Sequence, residues 1–145
     1  MKLWRISEFL SLDGMGGLMA AGRWHSGDHR IVYVTETSAL ALLEMLVRRA
    51  DGIVPPPYQL IEIDAPDDLP VARWPDADVP RDRTATQNWG DAFLHAGEAP
   101  LARVPSVIAP HSWNYLLNPL HPDAARVRIV QAARWPWDAR LFAAR

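Results

Sequence analysis

The sequence contains no cysteine among its 145 residues, which excludes disulfide bonds, thiolate zinc sites and cysteine nucleophiles. It has little excess charge: the formal net charge is -2, whereas a domain that binds nucleic acid by itself usually carries a clear basic excess. It also lacks a long apolar run. The longest, residues 38–47, contains Glu44 and is shorter than the roughly 20 residues that cross a bilayer.

The N-terminal residues also lack the apolar core of a signal peptide, because Lys2, Arg5 and Glu8 interrupt them. We therefore expect a cytoplasmic protein that contacts neither a membrane nor nucleic acid directly. Hydrophobic residues make up 49% and charged residues 22% of the chain, the balance of a globular protein. This length predicts one domain, residues 1–145, with a single core. The seven tryptophans fill that core or line a site for a planar ligand.

The hydrophobic pattern predicts an α+β domain of mainly antiparallel short strands and a few helices. Predicted strands cover residues 2–6, 31–35, 58–63, 102–109 (interrupted at Pro105), 113–117 (a strand or a turn) and 126–132. Predicted helices cover residues 37–49 and 84–96, the second capped by Thr84 or Thr86. The glycine-rich residues 13–22 are predicted to be a loop, and residues 64–83 an irregular surface connection.

The helix over residues 37–49 is the clearest of these elements. Thr37 or Ser38 can cap its start, and its residues are apolar nearly all round, which predicts burial on most faces. Glu44 is the exception, because a buried carboxylate is unfavourable unless it is paired. One interpretation is a surface pair with Arg48, four residues later. The other is a carboxylate kept for chemistry.

Two further residues have both an ordinary and a functional interpretation. Arg23 lies in a loop between Gly22 and Gly27, and its planar guanidinium matches phosphate oxygens. Ser106 either bonds to its own backbone, as strand serines do, or faces a ligand; no nucleophile-elbow motif surrounds it. His25 and His29 have a spacing that only weakly indicates a metal site.

The order of these residues resembles the RES-domain family, which is named for an arginine, a glutamate and a serine. The resemblance extends from Leu3 to about Ile129. The residues that carry it are Leu3-Trp4-Arg5-Ile6, Gly22-Arg23-Trp24, Gly27, Val32-Tyr33, Ala41, Glu44, Trp89-Gly90-Asp91, Pro105-Ser106, Asn114-Tyr115-Leu116-Leu117-Asn118-Pro119 and His121-Pro122.

The resemblance implies an ADP-ribosyltransferase-like fold whose core splits around an NAD⁺ cleft. It implies a toxin that consumes NAD⁺ as substrate, without a metal, by transferring ADP-ribose to a protein or by degrading NAD⁺ outright. It also implies a cognate antitoxin with an Xre-like DNA-binding domain, whose C-terminal part covers the active site. Both sub-classes of activity remain open at this point, as does a non-enzymatic domain that partners a DNA-binding protein.

The resemblance also implies the roles of particular residues. Arg23, Glu44 and Ser106 are the catalytic set, with Glu44 bonded to the ribose hydroxyls as oxocarbenium character develops. Arg23, with Arg5, grips the pyrophosphate; Tyr33 stacks on nicotinamide or bonds the ribose. Ser106 fixes the ribose or the carboxamide. The last expected NAD⁺ contact is Asn118, in the Asn-Pro turn. His25 departs from the small polar residue common in the family.

Overall fold

Strands and helices alternate irregularly in this computed structural model, which describes residues 1–49 and 53–142. The strands are β1 (Lys2–Ile6), β2 (Val32–Thr35), β3 (Tyr58–Asp64), β4 (Val71–Arg73), β5 (Leu101–Pro105), β6 (Trp113–Leu117) and β7 (Arg128–Trp135). The helices are α1 (Met15–Met19), α2 (Ser38–Leu46) and α3 (Arg83–Ala96), with short 3-10 helices at Pro122–Arg126 and Ala139–Leu141. None of the helices described is long and apolar enough to cross a membrane.

The strands form one sheet in the order β4-β5-β6-β2-β1-β3-β7. Neighbouring strands are antiparallel throughout, apart from the parallel pair β4 and β5. This is the predicted α+β class with mainly antiparallel pairing, and it is confirmed.

The sheet opens near its centre, between β1 and β2. These two strands pair only at Trp4 and Thr35, whereas β1 pairs with β3 over its whole length. Beyond Trp4 the two backbones separate, and the side chains of the diverging segments lie on either side of a gap. The candidate functional site lies at this opening.

Two apolar clusters cover the two faces of the sheet. Leu101 and Leu117 belong to one cluster, and their neighbours Ala102 and Leu116 belong to the other, as expected where successive side chains point to opposite faces. The second cluster includes Trp24, which packs edge to face against further tryptophans. Trp24 and Trp137 are buried and Trp135 is exposed, whereas the other four tryptophans are half-buried.

The structure confirms helix α2 but corrects its environment. The Thr37 hydroxyl accepts a hydrogen bond from the Leu40 N–H at 3.1 Å, as predicted for the cap. Burial on most faces was a wrong prediction, because α2 lies against β1 and β2 with one side only. Leu40 and Ala41 are buried, whereas Leu43 is 43% exposed.

The expected cap of helix α3 is also wrong. The helix begins at Arg83, and Asp82 caps it by accepting from the Thr84 N–H at 2.9 Å. Asp82 can act at this point because its carboxylate reaches the free N–H groups of the first turn. The hydroxyl of Thr86 is used instead for a tertiary contact.

Two short elements lie in segments predicted to be irregular. Helix α1 lies within the glycine-rich loop and begins after Gly14, which has a positive φ of 72°. Strand β4 lies within residues 64–83 and is held by parallel pairing with β5. The strand predicted over residues 102–109 ends at Pro105, and the last predicted strand runs from Arg128 to Trp135.

Candidate active site

A cavity of about 570 Å³ occupies the opening between β1 and β2. Arg5 and Ile6 from β1 face Tyr33 and Val34 from β2 across it. Glu44 on α2 supplies a carboxylate to the wall. The remaining charged side chains of the wall are arginines: Arg5, Arg23, Arg48 and Arg83. Because guanidinium groups bind phosphate oxygens, this wall suits an anionic ligand.

The Glu44 carboxylate is held through one of its two oxygens. Its Oε1 accepts a hydrogen bond from Asn114 Nδ2 at 2.6 Å and a longer one from Ser106 Oγ at 3.4 Å. The expected pair with Arg48 does not form among the described residues, because the Glu44 side chain turns towards strand β6. Its ordinary interpretation as a surface ion pair is therefore wrong.

Ser106 is buried at the turn after β5 and has two roles. Its Oγ accepts from the backbone N–H groups of Ile108 and Ala109, at 3.3 and 3.2 Å. The same hydroxyl donates to Glu44. The turn thus fixes the serine, and the serine contacts the carboxylate.

The two arginines expected to hold pyrophosphate are each anchored by a backbone carbonyl. Arg23 Nη1 donates to the Pro80 carbonyl at 3.1 Å, and Arg5 Nη1 donates to the Ser11 carbonyl at 3.2 Å. Burial lowers the pKa of the Arg5 guanidinium, and the Asp13 carboxylate partly opposes that shift. Each anchor uses one of several N–H groups, so both guanidiniums keep donors for a ligand.

On the cavity wall, the half-buried Tyr33 pairs with the buried His25. His25 Nε2 faces the carbonyl oxygens of Gly17 and Ala20 at 3.1 and 2.9 Å. Since carbonyls only accept, Nε2 carries the hydrogen, and in the neutral ring Nδ1 accepts from the Tyr33 hydroxyl at 2.7 Å. The hydroxyl oxygen in turn accepts from the Trp24 N–H at 3.2 Å. Burial raises the pKa of Tyr33 well above its usual range.

Helix α3 holds the loop that carries Arg23. Thr86 Oγ1 donates to the Arg23 carbonyl at 2.6 Å, and Gln87 Nε2 donates to the Gly22 carbonyl at 2.8 Å. One turn further along, Asp91 accepts from the Ser26 N–H at 3.0 Å. Gly90 lies between Gln87 and Asp91 on the helix. It has no room for a β-carbon, which would overlap the Trp24 carbonyl.

A family model described as the RES domain matches residues 2–138 of the chain. The chain belongs to the RES-domain family. "Toxin Res" of Pseudomonas putida is 37% identical over 98% of this chain and 100% of its own length. The "Prs ADP-ribosylating toxin" of a Sphingobium strain is 34% identical over 97% of this chain and 96% of its own.

The fold of this RES domain is similar to one chain of the solved M. tuberculosis MbcT–MbcA toxin–antitoxin complex. The TM-score is 0.76 at 15% identity, over 97% of this chain and 86% of that one. This likeness confirms the expected ADP-ribosyltransferase-like α+β fold.

The structure brings most of the expected site residues of this RES domain together. The cavity wall includes Arg5, Arg23, Tyr33 and Glu44. Ser106 does not line the cavity, but its hydroxyl contacts the Glu44 carboxylate. Asn118 is placed elsewhere: it is buried, its Nδ2 donates to the Leu94 carbonyl at 3.3 Å, and its Oδ1 accepts from the Leu120 N–H. These bonds fix the Asn-Pro turn against the end of α3.

Sequence reasoning missed the roles of three residues of the RES-domain site. Arg48 and Arg83 lie on the cavity wall, and Asn114 contacts Glu44. An asparagine inside the apolar strand β6 is the one feature that could have drawn attention, since a polar side chain there needs a partner. Both ring nitrogens of His25 are used in hydrogen bonds to protein atoms. Among residues 1–49 and 53–142, there is no group of three or more possible metal ligands.

Proposed function

We propose that this RES domain is a toxin that cleaves the nicotinamide–ribose bond of NAD⁺. The observation that carries the proposal is a carboxylate, Glu44, held by a strand and a turn on the wall of a cavity otherwise lined by arginine charges. The names of two relatives, one a toxin and the other an ADP-ribosylating toxin, support a toxin that acts on NAD⁺. We expect the protein to act in the cytoplasm, where NAD⁺ is available as a substrate.

Each part of the wall matches one part of NAD⁺. Arg23 and Arg5 bind the pyrophosphate, and Arg48 and Arg83 add positive charge beside them. Glu44 Oε2, which has no partner among the described residues, accepts from a ribose hydroxyl and stabilises positive charge at C1′. Ser106 acts by holding Glu44, and Tyr33 offers its ring to the nicotinamide.

The reaction is a substitution at the ribose C1′. The bond between C1′ and the nicotinamide nitrogen breaks, and nicotinamide leaves as a neutral molecule with the bonding electron pair. C1′ then bonds to an acceptor, which releases a proton. The acceptor is a protein side chain in a transferase, and water or a small nucleophile in a degradative enzyme.

The partner we propose is a cognate antitoxin that covers the cavity, as the RES-family resemblance implies. Val47 and Val107 lie on the wall and are 60% and 49% exposed. An apolar segment inserted here would shield both valines and block NAD⁺. The likeness to a toxin–antitoxin complex supports a partner of this class.

The Glu44→Gln variant tests the proposal. Purified protein is incubated with NAD⁺, with and without cell lysate, and released nicotinamide is measured by chromatography. Glu44→Gln should reduce turnover about 100-fold or more, because glutamine cannot stabilise the developing charge. The control Glu98→Gln, at an exposed position, should turn over like the unmodified chain.

The two sub-classes give different results in the same assay. Nicotinamide release only with lysate, with labelled ADP-ribose in one protein band, identifies a transferase; release by the pure protein identifies a degradative enzyme. Full turnover by Glu44→Gln would refute the assignment of Glu44. No turnover in either arm would favour the non-enzymatic interaction domain.

A further inference from the structure

Asn114 makes the shortest contact to the Glu44 carboxylate. The two residues are 70 positions apart in the chain, and Asn114 Nδ2 lies 2.6 Å from Glu44 Oε1. A carboxylate oxygen only accepts hydrogen bonds, so the atom that faces it must be the amide nitrogen rather than the amide oxygen. The Ser106 contact to the same oxygen is 3.4 Å, long for a hydroxyl donor.

The other end of the Asn114 amide is unsatisfied. Its Oδ1 is buried and has no hydrogen-bond partner among the described residues. Buried polar atoms are almost always paired, so an exception needs a reason. Here the reason is geometric: the amide orientation that leaves Oδ1 without a partner is the one that directs Nδ2 at the carboxylate.

Glu44 needs such support because of the element that carries it. Helix α2 is only partly buried, and a glutamate side chain has three rotatable bonds. Asn114 lies on β6, which is hydrogen-bonded on both sides, with Asn114 opposite Thr35 of β2 and Val104 of β5. An internal strand is a rigid element, and rigid elements hold the side chains of a site more precisely than loops do.

We infer that Asn114 is the positioning residue for Glu44: it fixes Oε1, so that Oε2 faces the cavity. This inference rests on the proposed NAD⁺ cleavage and deepens it. Both hydrogen bonds to Glu44 end on Oε1, which leaves one oxygen for the ribose hydroxyl. Asn114 touches the carboxylate rather than the reacting atoms, so its loss should affect the rate of the chemical step more than NAD⁺ binding.

Asn114→Asp is the decisive variant, because it keeps the shape and replaces the donor with a second carboxylate. Two carboxylates this close cannot both be ionised easily, so the pair repels at neutral pH and shares a proton at lower pH. We expect kcat to fall about 100-fold at neutral pH, with KM for NAD⁺ within about threefold of the unmodified value. As the pH is lowered from about 8 to about 5, the ratio of the Asn114→Asp kcat to the unmodified kcat should rise, because the shared proton restores a donor.

Two companion variants separate positioning from folding. Asn114→Ala should lose kcat without recovery at low pH, because alanine offers no donor at any pH. Asn88→Asp makes the same chemical change at an exposed position of α3 and should leave kcat, KM and the pH profile unchanged. A kcat for Asn114→Asp equal to the unmodified value, or a loss confined to thermal stability without the pH recovery, would overturn the inference.

A spectroscopic measurement distinguishes failure of this inference from failure of the proposed function. In ¹⁵N-labelled protein, the side-chain amide of Asn114 should give a shifted NMR signal, because one N–H donates to a charged carboxylate. That signal should move when Glu44 is replaced by glutamine. If it does not move, the inference is wrong whatever the turnover; if it moves while turnover is absent, NAD⁺ cleavage is wrong and the contact stands.

Discussion

The Tyr33 hydroxyl has its single hydrogen committed to the protein. It donates to His25 Nδ1 at 2.7 Å and accepts from the Trp24 N–H at 3.2 Å. His25 then connects the pair to the carbonyls of helix α1. We therefore assign the ring of Tyr33 to the nicotinamide, and its hydroxyl to holding the base of the cavity together.

Tyr33→Phe tests that division of roles. The variant leaves His25 Nδ1 and the Trp24 N–H without their partner, which should lower the free energy of unfolding by about 1–3 kcal/mol. NAD⁺ turnover at moderate temperature should change little, because the aromatic ring remains. Denaturant unfolding and turnover are measured together. A large loss of kcat at unchanged stability would instead assign the hydroxyl to the substrate.

Tyr58→Phe is the matched control for this prediction. Tyr58 packs against Trp137, and its hydroxyl makes no hydrogen bond within residues 1–49 and 53–142, so its removal should have little effect on stability.

The two variants should also differ in how their stability depends on alkaline pH. Because burial raises the pKa of Tyr33 above its ordinary value of 10.0, the unfolded chain loses this proton first, and stability falls as pH rises past that value. Tyr33→Phe should lack that part of the decline.

The residue types of the site were predictable, but their partners were not. Arginine, glutamate and serine were indicated by order and spacing along the chain. The contact between Glu44 and Asn114 depends on how α2 packs on β1 and β2, because β6 is the next strand beyond β2, and no local pattern encodes it. The local alternative, a pair with Arg48 four residues away, was the only partner that helix periodicity could offer.

Among the secondary-structure elements, α3 acts on the site mainly through the loop that carries Arg23. Three of its side chains and one glycine contact the loop of Arg23. Replacing an interior glycine of a helix with alanine usually stabilises the helix by about 1 kcal/mol. At position 90 the added β-carbon would meet the Trp24 carbonyl.

Gly90→Ala should therefore destabilise the protein despite its better helix propensity. We expect the free energy of unfolding to fall by about 1–3 kcal/mol, the usual effect of overpacking. Affinity for ADP-ribose, measured by calorimetry, should weaken because the Arg23 loop is displaced. The control Asn88→Ala, at an exposed position on the same helix, should be neutral or slightly stabilising. If Gly90→Ala were as stable as that control, close packing of α3 on the loop would be wrong.

The strands and helices that were predicted correctly are those whose pattern is formed by neighbouring residues in the sequence. β1, β3 and β7 were predicted because their residues alternate, and β2 because its residues are β-branched and aromatic. β4 was missed because it has three residues, between Pro70 and Pro75, and is held by β5, about 30 residues later in the chain. α1 was missed because two of its five residues are glycine and no side chain caps it. Short elements fixed by distant contacts leave little trace in sequence.

At the scale of the whole molecule, the distribution of charge differs from its sum. The chain carries a net charge of -2, yet the cavity wall has four arginines against one glutamate. NAD⁺ carries two phosphate charges and one pyridinium charge, so it is a net anion. The positive charges of the cavity wall should attract NAD⁺ even though the net charge of the whole protein would not.

Binding of ADP-ribose should therefore weaken as salt is raised. When NaCl is raised from about 0.05 M to about 0.5 M, the Debye length falls from more than 10 Å to well below 10 Å. The Kd for ADP-ribose measured by calorimetry should therefore rise several-fold. Replacing Arg48 and Arg83 together with glutamine should weaken binding at low salt and flatten this dependence, because two of the four charges are gone. Arg134→Gln is the control, since Arg134 is paired with Glu8 at 2.7 Å on the edge strand β7, and it should leave the slope unchanged. If the double variant kept the full salt dependence, the attraction would come from the rest of the surface and not from the cavity wall.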